Sequence, residues 1–198
     1  MNQHSDDQKT QILEALLFAA EEPLQAKDIL QLGLGFSAEE EIKAAVANLN
    51  EAYVQTNRAF KIREVAGGYQ FCTRPDFALY VSALVSKTRI QKLSHAALET
   101  LSIIAYRQPV SRPVVEKLRG VESSGVLSTL LERKLVAIVG RGEGLGRPLL
   151  FGTTPEFLTY FGLKNLSELP KPEEVPALFS PSEVSEPTGG SMQPAGAS

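Results

Sequence analysis

The sequence has a single cysteine and no long hydrophobic run. Cys72 alone cannot form an internal disulfide, and this fits the reducing conditions of the cytoplasm. No uncharged apolar stretch reaches the length of about 18 residues that a membrane-spanning helix needs. The first residues, M-N-Q-H-S-D-D-Q, lack the basic start and the apolar stretch of a secretion signal. We therefore expect a cytoplasmic protein that has no membrane partner.

Histidine is also scarce. His4 and His95 are far apart, and with one cysteine they offer no cluster of metal ligands. His95 directly follows Ser94, but adjacency does not establish the geometry of a nucleophile and its base, so an ordinary helix-start residue is the favoured interpretation. The glycine-rich segment 140–146 lacks the Lys-Ser or Lys-Thr pair of a phosphate-binding loop and leads into a strand. We expect no enzymatic activity, cofactor, metal or small-molecule substrate.

Charge is unevenly distributed along the 198 residues. Residues 1–81 carry a net charge of -5 and residues 166–198 carry -4. Residues 82–165 hold 12 Lys and Arg against 6 Asp and Glu, a net charge of +6. A basic middle between acidic ends is the place where an anionic partner would bind.

The chain also contains an internal repeat. L-E-A-L-L-F-A-A-E-E-P-L at 13–24 resembles L-E-T-L-S-I-I-A-Y-R-Q-P-V at 98–110. Further on, F-C-T-R-P-D-F-A-L-Y at 71–80 resembles F-G-T-T-P-E-F-L-T-Y at 151–160. The two offsets differ by only a few residues, and loops absorb such a difference at small entropic cost. Coincidence is the alternative, but two copies of one structural unit are the stronger interpretation.

Each copy has the pattern of three helices followed by a hairpin. In the first copy Pro23 ends the first helix, and Ser37 with Glu40 matches a capping box before the third. Residues 60–73, with a Gly67-Gly68 turn, predict a hairpin.

The second copy follows the same order. Ser94 is a candidate N-cap, and Pro113 predicts a short helix that stops at Gly120. Helix–helix–helix–hairpin is the order of a winged helix-turn-helix. The expected fold class is therefore mainly α with small β-hairpin wings, arranged as two tandem winged helix-turn-helix domains.

The expected domain organisation has five segments. One face of a helix that connects the two copies is indicated by the spacing of Phe77, Tyr80, Val81, Leu84 and Val85. Six of the 12 prolines lie in the last segment, and such a composition is typical of disordered chain. The segments are a flexible N-terminus (1–9), an N-terminal winged-helix domain (10–86), a connection (87–93), a C-terminal winged-helix domain (94–165) and a disordered tail rich in Pro, Ser and Glu (166–198).

A winged helix raises the hypothesis of a DNA-binding transcriptional regulator. Its third helix would lie in the major groove and present basic or amide side chains to the bases. The third helix of the first copy begins S-A-E-E-E, and that of the second has basic residues only at its far end. Because phosphate contacts supply most non-specific affinity for DNA, the sequence disfavours this hypothesis. The basic second copy still leaves room for weak, sequence-independent DNA contact.

Recognition of another protein is the favoured hypothesis. Arginine is a common anchor at partner surfaces because its planar fork makes several directional hydrogen bonds and its stem packs on apolar surface. Any one arginine could instead pair with a carboxylate of its own domain. The candidate partner-binding residues are Tyr106, Arg107, Gln108, Pro109, Arg112, Arg119, Arg141 and Arg147.

Two stretches resemble the signature of a known family. They are L-S-H-A-A-L-E-T-L-S-I-I-A-Y-R-Q-P-V-S-R (93–112) and G-R-G-E-G-L-G-R-P-L-L-F-G-T-T-P-E-F-L-T-Y-F-G-L-K-N-L-S-E-L-P (140–170). Both resemble the segregation and condensation protein B family. Phe151 stands where the family usually has Tyr, and Val110-Ser111-Arg112-Pro113 varies a more typical I-T-R-x.

This resemblance implies a non-enzymatic role in chromosome condensation and segregation, in the nucleoid-associated cytoplasm. It implies that the N-terminal domain forms a homodimer. It also implies that a kleisin subunit, segregation and condensation protein A, threads across the dimer and connects it to an SMC ATPase. ATP hydrolysis and most DNA engagement would belong to the SMC protein. Candidate residues of the dimer interface are Leu24, Leu34 and Phe36.

Overall fold

Both halves of the chain contain the same elements in the same order. The computed structural model describes residues 5–85, 92–143 and 146–171. The first half contains α1 (Asp6–Ala19), β1 (Leu24–Gln25), α2 (Ala26–Gln31), α3 (Glu39–Gln55), β2 (Phe60–Val65), β3 (Gly68–Thr73) and α4 (Ala78–Val85). The second half contains α5 (His95–Arg107), β4 (Val110–Ser111), α6 (Arg112–Arg119), α7 (Ser124–Glu132), β5 (Val136–Arg141), β6 (Leu149–Thr153) and α8 (Pro155–Phe161). The predicted fold class, mainly α with small β-hairpin wings, is confirmed.

Each half has a three-stranded antiparallel sheet, with the orders β1-β3-β2 and β4-β6-β5. The hairpins were predicted, but the short strands β1 and β4 were not. Leu24 of β1 pairs with Tyr69, and Val110 of β4 pairs with Phe151. Each of these strands has only two residues, which is too short for an alternating pattern to show in the sequence. Their hydrogen-bonding partners also lie far along the chain.

The core of the first half lies between its helices and its sheet. Leu13 and Leu17 of α1, Ile29 of α2 and Ile42 of α3 are almost wholly inaccessible. Burial of one such side chain contributes about 1.5–3 kcal/mol. The three candidate residues of the dimer interface are partly buried and pack against this core: Leu24, Leu34 and Phe36.

The core of the second half is built in the same way. Leu101 and Ile104 of α5, Val115 of α6 and Leu130 of α7 are almost wholly inaccessible, and α5 packs against both α6 and α7. Ser94 caps α5, because its hydroxyl accepts a hydrogen bond from the backbone N–H of Ala97 at 3.2 Å. The structure therefore confirms this N-cap, and it also confirms that α6 ends at Gly120.

Two local predictions differ from the structure. Ser37 and Glu40 do not form a capping box; α3 begins at Glu39, and the carboxylate of Glu41 accepts a hydrogen bond from the backbone N–H of Ser37 at 2.9 Å. The hairpin turn lies at Ala66-Gly67, one residue earlier than predicted, and both residues have positive φ. Gly68 belongs to β3.

The boundaries of the first and last segments also differ from expectation or lie outside the described residues. The helix α1 already begins at Asp6, inside the segment expected to be flexible. Most of the connection lies outside the described residues, as does the expected disorder of 172–198. The short 3-10 helix Leu166–Glu168 lies at the start of the expected tail.

Contacts join the first hairpin to the segment that follows α8. The Nζ of Lys164 lies 2.7 Å from a carboxylate oxygen of Glu64. The backbone N–H of Ala66 donates to the carbonyl of Leu163 at 2.8 Å, and an Nη of Arg63 donates to a carbonyl at 2.9 Å. The two halves thus belong to one compact unit, which ends at Glu168.

Candidate partner-binding site

The end of α5 presents three of the eight candidate residues to solvent. Tyr106, Arg107 and Pro109 are exposed. Arg107 makes no hydrogen bond or ion pair within the described ranges. Tyr106, Arg107 and Pro109 are called the helix-end patch below.

Gln108 is different, because its amide is used inside the second half. Its Oε1 accepts from the backbone N–H of Thr153 at 2.7 Å, and its Nε2 donates to the carbonyl of Ala105 at 3.2 Å. These bonds connect the end of α5 to the end of β6. The half-buried Gln108 amide is therefore an internal connection and has little capacity left for a partner.

Arg119 is also an internal residue. Its side chain is only 5% exposed. Its Nε donates to the Glu99 carboxylate at 3.1 Å and its Nη1 donates to the buried Ser123 hydroxyl at 2.9 Å. Arg119 thus joins α6 to α5 and to the residue that precedes α7. It matches the alternative in which an arginine pairs with a carboxylate of its own domain.

Three remaining arginines lie at the wing end of the second sheet. Ser111 of β4 pairs with Leu150, and α6 begins with the next residue, Arg112. On the other side of β6, Arg141 pairs with Leu149. Neighbouring strands are about 4.8 Å apart, so β4 and β5, which lie on either side of β6, are roughly 10 Å from each other. Arg147 is exposed shortly before β6 begins. Arg112, Arg141 and Arg147 are called the wing patch below.

The contacts of Arg112, one member of the wing patch, are weak. The Nε of Arg112 lies 3.7 Å from an oxygen of Glu116, and its Nη1 lies 3.4 Å from the Ser124 hydroxyl. The Arg112 side chain is 55% exposed. Exposed ion pairs of this kind contribute about 0–1 kcal/mol, so a partner could displace them.

The comparisons with known proteins decide the family. The model of the segregation and condensation complex subunit ScpB matches residues 11–172. The chain belongs to the ScpB family. Segregation and condensation protein B of Moorella thermoacetica is 53% identical over 165 residues, 83% of this chain and 83% of the relative. That of Symbiobacterium thermophilum is 49% identical over 183 residues, 90% of this chain and 80% of the relative.

Two solved structures of ScpB proteins are also similar. The crystal structure of ScpB from Mycobacterium tuberculosis is 32% identical, covers 82% of this chain and 99% of its own, and has a TM-score of 0.39. A dimer of an ScpB N-terminal domain complexed with an ScpA peptide is 27% identical, covers 43% of this chain and 92% of its own, and has a TM-score of 0.33. The family assignment rests on the sequence matches.

In this ScpB family member the helices that would read DNA carry the wrong charge. The first turn of α3 consists of exposed Glu39, Glu40 and Glu41. The corresponding helix α7 contains no Lys or Arg between Ser124 and Glu132. Neither helix offers the basic face that a phosphate backbone attracts.

The described ranges of this ScpB family member contain no group of three or more His, Cys, Asp or Glu that could hold a metal ion. Within the same ranges no helix is both long and apolar enough to cross a membrane.

Among the ionisable groups, Tyr53 has a strongly shifted pKa. Burial, together with its hydrogen bond to Glu14, raises the pKa of Tyr53 well above its ordinary value.

One exposed surface of this ScpB family member was missed by the sequence analysis. A groove of about 440 Å³ lies between α1 and the sheet of the first half. We call it the α1 groove. The helical spacing of α1 indicated a buried face, but it did not indicate that Phe18, on another face, remains 82% exposed. The lining residues are Gln11, Glu14, Ala15, Phe18, Phe60, Phe71, Cys72 and Thr73.

Proposed function

We propose that this chain is a non-enzymatic subunit of a bacterial SMC–kleisin complex. It forms a homodimer through its N-terminal half and binds the kleisin, segregation and condensation protein A, which connects it to the SMC ATPase. The observation that carries this proposal is the sequence match to ScpB, which spans 83% of both this chain and its Moorella relative. Its work is to support chromosome condensation and segregation in the nucleoid-associated cytoplasm, without a cofactor or small-molecule substrate.

The domain roles follow from the same proposal. Residues 10–86 form the dimerisation domain, and residues 94–165 form a domain that contacts the kleisin. Within the second domain, the exposed candidates are the helix-end patch and the wing patch. Both patches carry arginine, which suits a kleisin segment with carboxylates and apolar side chains.

The alternative function, a winged-helix transcriptional regulator, has less support. It needs a basic third helix, whereas α3 begins with Glu39, Glu40 and Glu41. A weak, sequence-independent contact of the wing patch with DNA is compatible with the proposed function, because three arginines lie near one end of the sheet.

Light scattering on size-exclusion fractions tests the function directly. The protein is measured alone, with its cognate kleisin, and with a short random DNA duplex at moderate salt. We expect a dimer that shifts to a larger, defined complex with kleisin and does not shift with DNA. A protein that ignores kleisin and shifts on DNA would support the regulator instead.

Charge reversal tests the two patches. Arg107→Glu and Arg147→Glu should each raise the dissociation constant for kleisin by about tenfold or more, which corresponds to the loss of about 1.4 kcal/mol. Thermal stability should change little because both side chains are exposed. The matched control is Lys117→Glu on α6, another exposed cation of the same half. Equal losses of melting temperature and binding would mean that these arginines are structural.

A further inference from the structure

The helix α4 has an apolar surface that the described part of its own chain leaves exposed. Its sequence, A-L-Y-V-S-A-L-V, has no charged residue, and none of its eight residues is buried. Leu79 is 84% exposed, and Tyr80 and Leu84 are exposed nearly as much. A contiguous apolar surface of this kind on a folded protein marks a site of interaction.

The repeat provides an internal comparison for α4. The corresponding helix of the second half is α8, because F-C-T-R-P-D-F-A-L-Y matches F-G-T-T-P-E-F-L-T-Y. In α8, Phe157 is 3% exposed and packs into the core of its own half. The matching residue Phe77 precedes α4 and is 37% exposed. The matching phenylalanine is thus buried in the second half and exposed in the first, where the last helix buries no residue.

The α1 groove is the complementary surface. The Phe18 ring meets the Phe71 ring edge-on at a centroid distance of 6.2 Å, and the Phe60 ring meets Phe71 at 5.5 Å. The carboxylate of Glu14 at its rim accepts a hydrogen bond from Tyr53 at 2.6 Å. No residue of α4 lines the groove. The groove is therefore apolar and aromatic, and its one carboxylate already has a hydrogen-bond donor.

We propose that α4 of each copy lies in the α1 groove of a second copy, in the homodimer of the proposed function on which this inference rests. The groove and the helix match in chemistry, since the helix carries no charge and the groove walls are aromatic and aliphatic. Because each copy has one helix and one groove, a two-fold axis satisfies both at once, as an isologous interface requires. The apolar face of α4 is thereby buried against Phe18 and Phe71.

Two substitutions test the two sides of this interface. Phe18→Glu changes the groove, and Leu79→Glu changes the helix. Both side chains are more than four-fifths exposed in one copy, so the fold should persist, and circular dichroism checks this. Each variant should raise the dimer dissociation constant by about tenfold or more, because each would bury an unpaired carboxylate at the interface. Leu32→Glu at the end of α2, exposed in the same half, is the control and should leave the constant unchanged.

The single cysteine provides a direct test of proximity. Cys72 lines the groove. A tagged Cys72→Ser/Leu79→Cys copy is mixed with wild-type protein, so that each copy has one cysteine, and a short bismaleimide is added. We expect a cross-linked product that contains one copy of each size. The corresponding Cys72→Ser/Leu32→Cys copy should not give it.

The outcomes separate this inference from the function on which it rests. A wild-type protein that stays monomeric at all concentrations would overturn the homodimer itself. If the wild type is dimeric, the Phe18→Glu variant is dimeric too and no mixed cross-link forms, only the helix-in-groove contact is overturned. If Leu79→Glu dissociates and Phe18→Glu does not, α4 packs elsewhere. If Phe18→Glu stays dimeric but loses kleisin, the groove holds the kleisin and the inference is wrong.

Discussion

Gln108 and Thr153 hold the end of α5 against the end of β6. The Oε1 of Gln108 accepts both the backbone N–H of Thr153, at 2.7 Å, and its hydroxyl, at 3.1 Å. The Nε2 of Gln108 donates to the same hydroxyl at 3.0 Å. This connection holds the residue that follows α5, so the helix-end patch surrounds a side chain that is itself turned inward.

Replacement of Gln108 tests that connection. Gln108→Ala should lower the free energy of unfolding by about 1–3 kcal/mol, because the partly buried N–H and hydroxyl of Thr153 would lose their partner. Urea unfolding followed by circular dichroism measures this. If the loss is below about 0.5 kcal/mol, as for an ordinary surface change, the internal role of Gln108 is contradicted.

Arg119 and Arg141 form a contrasting pair. Arg119→Ala should destabilise the protein by about 1.5–3 kcal/mol, because it removes hydrogen bonds between a charged group and both Glu99 and Ser123. Arg141→Ala, on the exposed wing, should change stability by less than about 0.5 kcal/mol. Denaturant midpoints of the two variants make the comparison. Equal effects would mean that burial does not distinguish the two arginines.

Two glycines of the second half should respond in opposite directions to alanine. At Gly152 a Cβ would meet the Oε1 of Gln108 and a methyl of Val139, each at 2.9 Å. Gly152→Ala should therefore cost about 1–3 kcal/mol through overpacking. At Gly125, in α7, a Cβ meets nothing within 4 Å. Gly125→Ala should stabilise by about 0.5–1 kcal/mol, and thermal melts of both variants test the contrast.

Tyr53 should make the protein less stable at alkaline pH. Its hydroxyl is held by Glu14, and burial with this interaction raises the pKa of Tyr53 above the ordinary value of 10.0. The folded state therefore keeps a proton that the unfolded chain loses above that pH. Stability should fall as pH rises beyond about 10, since unfolding then releases a proton. Tyr53→Phe should show a shallower fall in denaturant midpoint; an unchanged slope would argue against this cause.

The contact between the halves can be tested by charge swapping. Lys164→Glu places a carboxylate next to that of Glu64 in the first hairpin. Because the two repel, the nearby hydrogen bond from Ala66 to Leu163 should open more often. Amide hydrogen exchange of Ala66 should become faster. The Glu64→Lys/Lys164→Glu double variant should restore slow exchange. Fast exchange in the double variant would show that the ion pair does not support this contact.

Several features were predictable because their signals are local. Ser94 caps α5 through a bond to a residue three positions away. The end of α6 needs a residue with positive φ, and Gly120 adopts this conformation without steric cost. The repeat between 71–80 and 151–160 indicated two similar units, and the family signature within 93–112 and 140–170 indicated ScpB. These signals depend on neighbours within a few residues or on direct comparison of segments, so the sequence alone contains them.

Only the tertiary structure showed which candidate residues are exposed and which make contacts within the protein. Arg119 and Arg107 are both arginines near helix ends, but only Arg119 meets a carboxylate, which lies 20 residues away on another helix. The apolar stripe of α4 likewise predicted a helix correctly and did not show that its own half leaves it uncovered. Spacing indicated which segments are helical, and the resemblance of 93–112 and 140–170 to a known signature indicated the family. Which side chains point inward depends on partners that are distant in sequence, and only the folded chain brings those partners together.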